Sequence, residues 1–302
     1  MKRAFFGFTA FAIILMAAAF IPFNAGASGN PGLLVNGQWL ASHAKTIVVD
    51  VRQGKAYMAE HIPGAVNIPV GSLQGGPDEV PYPVKNEEKT LGANGLSINS
   101  DIVLYGNGRM SSFREFWILD YLGMRNIHVL DGGIEGWKGQ TATGETRLGP
   151  TRFKARPVPS KYVTTAYVLA HLKDPGVILL DARSPAEYHG MVAMSLRGGH
   201  IPGAININFQ ENFQTGSTAL KPVDQLRKIY AGLDRRKEIV TYCQNGSRAV
   251  TSYFVLRMLG FRKAGTYIPS WVEWGSNEKL PVDEVSYFNF VPLIKMMKSL
   301  KK

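Results

Sequence analysis

The chain is 302 residues long, with 45% hydrophobic and 19% charged residues, an ordinary globular composition that excludes wholesale disorder or a fibrous repeat. At roughly 150 residues per domain, this length predicts about two domains. Lys and Arg number 34 against 23 Asp and Glu, a formal charge of +11; without a Lys/Arg block or nucleic-acid motif, that excess argues against nucleic acid and for small anions or lipid headgroups.

The N-terminus reads as a targeting segment. Lys2 and Arg3 precede an apolar stretch over 4–21 broken only by Gly7 and Thr9, then Pro22, then Ala25-Gly26-Ala27. That order is a positive region, an apolar region and a small-x-small cleavage site, so residues 1–27 are expected to be a cleaved signal peptide. The product would be periplasmic or secreted. A retained anchor is the competing reading, because the stretch is just long enough to span a bilayer.

The remaining chain is a tandem repeat. Thr46-Ile-Val-Val-Asp50-Val-Arg52 answers Gly176-Val-Ile-Leu-Leu-Asp181-Ala-Arg183, and His61-Ile-Pro-Gly-Ala65 recurs letter for letter as His200-Ile-Pro-Gly-Ala204. Tyr105/Tyr242, Gly123/Gly260 and Trp137/Trp274 share one offset, 137 residues. Such a register marks a duplicated unit. Within each unit, short runs rich in β-branched residues (47–49, 177–180, 239–240) alternate with helical stretches (113–122, 249–259). That pattern predicts an α/β fold: two tandem domains, each a small parallel sheet flanked by helices. The boundaries are expected at 28–145 and 161–302, with 146–160 as a linker rich in Gly, Thr, Arg and Pro.

In open parallel sheets, ligands bind beyond the carboxyl ends of strands. Cys243 stands at such an end, in Val240-Thr-Tyr-Cys243-Gln-Asn-Gly246-Ser-Arg248, with a predicted helix from Ala249. It is the only cysteine, which excludes an intrachain disulfide and a multi-cysteine zinc site; no metal or cofactor site is read. A lone thiol is commonly an inert core residue. A Gly- and Arg-containing loop running into a helix N-terminus argues otherwise, because its amides and the helix dipole bias a thiol there toward the thiolate. In the first repeat Gly106 stands opposite Cys243, so that unit lacks a nucleophile.

The paired Asp-x-Arg, His-Ile-Pro-Gly-Ala and Cys-x-x-Gly-x-Arg elements resemble a two-domain rhodanese-type sulfurtransferase, from about residue 33 to 283. The resemblance implies an inactive N-terminal unit and a catalytic C-terminal one. It also implies that Cys243 takes a sulfane sulfur from a small anionic donor such as thiosulfate and holds it as a persulfide. A thiol or cyanide then accepts it. Gln244, Asn245, Gly246, Ser247 and Arg248 are the expected cradle, with Arg183 and Arg197 as further donor-facing candidates. A structural ion pair with Asp181 competes for Arg183, because Asp50 and Arg52 repeat the pair in the inactive unit. A solvated loop competes for Arg197, which lies where Asp-to-His spans 19 residues rather than 11. His200 has a duplicate in His61 and reads as structural.

The loop departs from the better-known family members. Thiosulfate-specific relatives tend to carry basic residues directly after the cysteine, where Gln244 and Asn245 are neutral; mercaptopyruvate-specific ones resemble Cys-Gly-Ser-Gly. Both groups tend to have an Arg six places beyond the Asp of Asp-x-Arg, where this chain has Glu187. 3-Mercaptopyruvate as donor is therefore an alternative, as is a persulfide carrier or chalcogen-oxyanion redox module without brisk turnover. A phosphatase is disfavoured, because four residues separate Cys243 from Arg248 where such loops have five. The C-terminal tail, with Lys295, Lys298, Lys301 and Lys302 among apolar residues, is a candidate for weak membrane-surface contact.

Overall fold

A computed structural model describes residues 30–75, 80–81, 83–108 and 110–288. The expected signal peptide and the basic C-terminal tail lie outside the described residues. Among those described, no helix is long and apolar enough to cross a membrane.

Each half builds a five-stranded parallel sheet. The first comprises β1 (Leu34–Val35), β2 (Ile47–Asp50), β3 (Val66–Asn67), β4 (Ile102–Tyr105) and β5 (Ile127–Leu130), in the order β1-β5-β4-β2-β3. The second comprises β6 (Tyr162–Val163), β7 (Val177–Asp181), β8 (Ile205–Asn206), β9 (Glu238–Tyr242) and β10 (Ala264–Tyr267), in the equivalent order β6-β10-β9-β7-β8. The central strands are buried on both faces, which is why they read as unbroken Ile, Val and Leu rather than as an alternating pattern. Pairing is in register: Val48 lies opposite Val103, and Ile178 opposite Ile239.

Four helices matter for the site: α1 (Val84–Ala93), α2 (Ser111–Tyr121), α3 (Ala249–Met258) and α4 (Ser270–Trp274). Helices α2 and α3 occupy equivalent places in the two halves and pack against each other. The Phe254 ring meets Phe113 and Phe116 at centroid distances of 4.8 and 4.9 Å. Almost every side chain of both helices is buried, because each covers its own sheet with one face and the other helix with the opposite face. One apolar core therefore continues from the first half into the second.

Two segments differ from the sequence reading. Over 146–160 the chain has almost no regular structure, yet it is not free: Phe153 and Ala155 are buried, and Thr151, Arg156 and Val158 donate backbone hydrogen bonds to Gly92, Leu122 and Tyr121. It is a strap pinned to the first half. The extra length before His200 is likewise structured, because Arg197–His200 pairs antiparallel with Asp283–Tyr287. The insertion exists to make that ribbon.

Candidate active site

Cys243 directly follows β9, and the loop 243–248 leads into α3. Its side chain is fully buried. Gly246 has φ +86, the left-handed region that favours glycine, and a Cβ there would stand 2.9 Å from both the Ile268 carbonyl oxygen and Nη1 of Arg114. The loop can turn only because this residue has no side chain. Behind it, the Trp271 and Val272 amides donate to the carbonyls of Cys243 and Gln244 at 3.0 and 2.8 Å, tying the loop to α4. Gln244 Nε2 donates to the Met194 carbonyl and to Ser195 Oγ, tying it to the inserted segment.

With the carbonyls anchored outward, the amides are left available. Among the described residues, the backbone N–H groups of Gln244, Asn245, Gly246 and Arg248 have no protein acceptor. The Ser247 amide donates to Asn245 Oδ1 at 3.4 Å. Unpaired donors beside a helix N-terminus and a thiol form a nest for negative charge.

Arg248 is held by a carboxylate. Its Nη1 and Nη2 donate to the two Glu187 oxygens, each at 2.7 Å. Ser184 also donates to Glu187 in a capping box. Burial pushes the Glu187 carboxyl up, but the Arg248 and Ser184 hydrogen bonds and the Arg248 charge outweigh it, lowering the carboxyl to about 2. Burial likewise pulls the Arg248 guanidinium down, while Glu187 and the charge of Cys243 raise it above its ordinary value. Cys243 is thus within electrostatic reach of a cation already shared with Glu187.

The other two arginines leave the donor-facing set. Arg183 is 1% exposed and bonded twice over to Asp181, with Nη2 on the Gly199 carbonyl at 2.7 Å and its plane 4.3 Å over the Trp271 ring. Arg52 and Asp50 repeat that bidentate arrangement in the first half at the same distances. Arg197 spends its donors on the carbonyls of Gly275, Leu280, Trp274 and Asn277, closing the C-terminal end of α4. The structure bears out the ion-pair reading of Arg183 and corrects both the donor-facing and the solvated-loop readings of Arg197: both guanidiniums are buried, Nε and Nη2 of Arg183 on Asp181 and Gly199, and all three nitrogens of Arg197 on backbone carbonyls. Removing either partner of the Arg183–Asp181 pair would strand a buried charge, a loss of about 3–5 kcal/mol. His200 stacks on Tyr188 at 3.7 Å, as His61 does on Tyr57 at 4.2 Å.

Sequence reasoning missed Ser270. It is fully buried at φ +54, where its counterpart Gly133 has φ +58. Its Oγ accepts the Cys243 amide at 3.2 Å and donates to the Tyr267 carbonyl at 2.7 Å. A left-handed backbone is costly for a residue with a Cβ. The signal was present at the 137-residue offset, where glycine in the first unit becomes serine in the second.

The equivalent place in the first half is shut. A Cβ on Gly106 would come within 2.3 Å of Ser111 Oγ and 3.0 Å of Val51 Cγ2. From the second half, Thr218 Oγ1 donates to the Gly132 carbonyl at 3.1 Å, and the Leu220 amide to Asp131 Oδ1 at 2.9 Å.

Comparison with known proteins agrees with this architecture. The Rhodanese-like domain family matches the chain twice, over residues 37–140 and 164–277. A Pseudomonas aeruginosa protein named "Probable 3-mercaptopyruvate sulfurtransferase" is 34% identical over 245 residues, spanning 76% of this chain and 86% of its own. The Azotobacter vinelandii thiosulfate sulfurtransferase is 30% identical over 254 residues, spanning 80% and 92%. Among solved structures, the 3-mercaptopyruvate sulfotransferase SseA from Escherichia coli aligns with a TM-score of 0.71 at 26% identity, covering 80% of this chain and 99% of that one.

Proposed function

This chain belongs to the rhodanese-like family, as a tandem pair of its domains and a sulfurtransferase, and we propose that Cys243 is the residue that carries the sulfur. On this reading 161–302 is the catalytic unit and 28–145 its inactive counterpart. The observation that carries it is the set of unpaired amides at Gln244, Asn245, Gly246 and Arg248, gathered around the only thiol in the chain.

The Cys243 thiolate attacks the outer sulfur of an anionic donor such as thiosulfate. A sulfur–sulfur bond forms to Cys243, the donor's own sulfur–sulfur bond breaks, and its electron pair leaves with sulfite. The loop amides stabilise the persulfide while it waits. An acceptor thiolate or cyanide then attacks the outer sulfur, and the Cys243 thiolate returns. No general base is needed when the nucleophile is already ionised.

Neutral Gln244 and Asn245, with Arg248 shared by Glu187, leave the cradle less cationic than its expected residue types suggest. This supports binding through backbone amides rather than through a particular cationic side chain. 3-Mercaptopyruvate is the second donor consistent with the relatives' names, and it too would load Cys243.

Mass spectrometry of the purified protein after incubation with thiosulfate or 3-mercaptopyruvate tests the proposal. One added sulfur on the Cys243 peptide is the expected result; an unloaded peptide with both donors, or sulfur elsewhere, would sink it. Turnover with cyanide separates an enzyme's persulfide from an idle carrier's. The same spectra read the N-terminus, expected near Ser28 if the protein is exported as its leader suggests. Weak membrane contact through the Lys-bearing tail belongs to this proposal on sequence grounds alone, and retention on anionic vesicles measures it.

A further inference from the structure

A cavity of about 650 Å³ opens at the end of α2 and α3 opposite the Cys243 loop. Cys243 lies before the N-terminus of α3 and Arg257 in its last turn, so roughly 15 Å of helix separates the two places. The cavity's charged lining comes from three parts of the chain: Asp120 and Arg125 at and after the end of α2, Arg156 in the strap with Lys161 just after it, and Arg257 from α3.

Four cations therefore face one carboxylate. Asp120 is fully engaged: it accepts from Lys161 Nζ, from Arg257 Nη1 at 2.8 Å and from the Tyr253 hydroxyl. Burial lowers the Lys161 ammonium; Asp120 pulls it back up, and the charges of Arg257 and Arg125 push it further down. Arg125 and Arg156 make no side-chain ion pair or hydrogen bond among the described residues.

The plain alternative is that these cations complement the C-terminal ends of α2 and α3. Each helix end offers about half a negative charge, so two ends and Asp120 supply about −2 against +4. The last carbonyls of α2 also have donors already, since Leu122 and Tyr121 accept the Arg156 and Val158 amides at 2.8 Å. An excess of about two positive charges remains, in a space of the size that small-molecule sites occupy. A lone sulfate or phosphate would leave most of that space empty.

We infer that this cavity binds a small multivalent oxyanion, of the size and charge of a condensed phosphate or an organic tricarboxylate, and that the bound anion bridges the two halves through the strap. Every charged wall is then used: Arg125 from the first half, Arg156 from the strap, and Lys161 and Arg257 from the second half. The anion engages Arg125 and Arg156 directly and relieves the repulsion around Lys161.

Calorimetric titration of the full chain with tripolyphosphate, and separately with citrate, at fixed ionic strength tests the inference. Saturable one-site binding of either probe is expected, and the probe that binds identifies the phosphate or the carboxylate source. Arg125→Ser combined with Arg156→Ser should weaken that binding at least tenfold without lowering the melting temperature of the unliganded protein, because both side chains are exposed. Cys243→Ser should bind the same probe with unchanged affinity. The inference is overturned by no saturable binding of either probe, by binding that the double variant leaves intact, or by binding that Cys243→Ser abolishes, since that would place the anion in the catalytic loop.

Discussion

At the scale of single residues, the informative position is Glu187. A carboxylate stands where related enzymes tend to carry a cation, and it binds Arg248 through both oxygens. Its net effect is to offer structure at the expense of charge in the cradle. Glu187→Gln removes the competing anion and leaves Arg248 to face the donor, so thiosulfate loading, followed by rapid mixing, should quicken by roughly tenfold, the worth of one charge-assisted contact. Slower loading would mean that Glu187 is needed to aim the guanidinium. The same pair contributes stability with a definite pH dependence. Because the folded carboxyl is held at about 2, below its ordinary 4.5, that contribution is present above about pH 4.5 and lost as pH falls toward 2. In Glu187→Gln this part of the acid-melting profile should flatten.

At the scale of elements, α1 and α2 bring together two acids that α3 and its neighbours do without. Glu87 and Glu115 are fully buried, and none of their four carboxyl oxygens has a hydrogen-bond partner. Burial raises Glu87 to about 8; burial, and then the Glu87 charge, pushes Glu115 well above its ordinary range. The folded protein therefore holds protons that the unfolded chain releases. For Glu87 the stabilising effect is complete below about pH 4.5 and is lost as pH rises toward 8. Glu87→Leu should raise the melting temperature, and more at pH 8.5 than at pH 5. Removing an unpartnered buried polar group is worth on the order of 1–3 kcal/mol, or a few degrees in a chain of this size. An equal gain at both pH values would show that Glu87 is not the titrating group.

At the scale of the whole molecule, two copies of one architecture differ in the loop that follows their central strand. The second half keeps the thiol, the left-handed Gly246 and the Ser270 hydroxyl; the first half has Gly106, a left-handed Gly108 one residue early, and Ser111 opposite Arg248. The missing thiol is not the only difference, because Thr218 and Leu220 of the second half bond Gly132 and Asp131 of the first. Cys243→Ser should abolish sulfur transfer, since a hydroxyl cannot form a persulfide. Adding Gly106→Cys to it should not restore activity: the new Cβ must displace Ser111 Oγ from 2.3 Å and would also crowd Val51 Cγ2 at 3.0 Å and Ser112 Oγ at 3.1 Å. Persulfide on residue 106 with turnover, seen by mass spectrometry and a cyanide assay, would show instead that the first half is a dormant catalyst.

Much of this was legible in the amino-acid order. The offset of 137 residues, the buried Ile and Val runs and the paired Asp-x-Arg and His-Ile-Pro-Gly-Ala elements determined a duplicated α/β unit. Cys243 opposite Gly106 determined which half has a thiol at that strand end, because strand ends and helix starts are local properties and a missing side chain is absolute. The duplicated Asp-x-Arg element made Asp181 legible as the partner of Arg183, but the partners of Arg197 and Arg248 were not legible: Arg197 reaches carbonyls about 80 residues away, and Arg248 meets Glu187, 61 residues earlier in the chain. Ser270 meets the Cys243 amide from the first position of α4, in a left-handed backbone that serine does not favour. A guanidinium or hydroxyl bonds whichever oxygen or amide the packed chain brings to it, and packing brings together groups that sequence spacing does not relate. Tertiary structure alone therefore decided whether Arg197 and Arg248 are free to meet an anion, and it placed two cations without a side-chain partner, Arg125 and Arg156, together at the far end of the helices from the thiol.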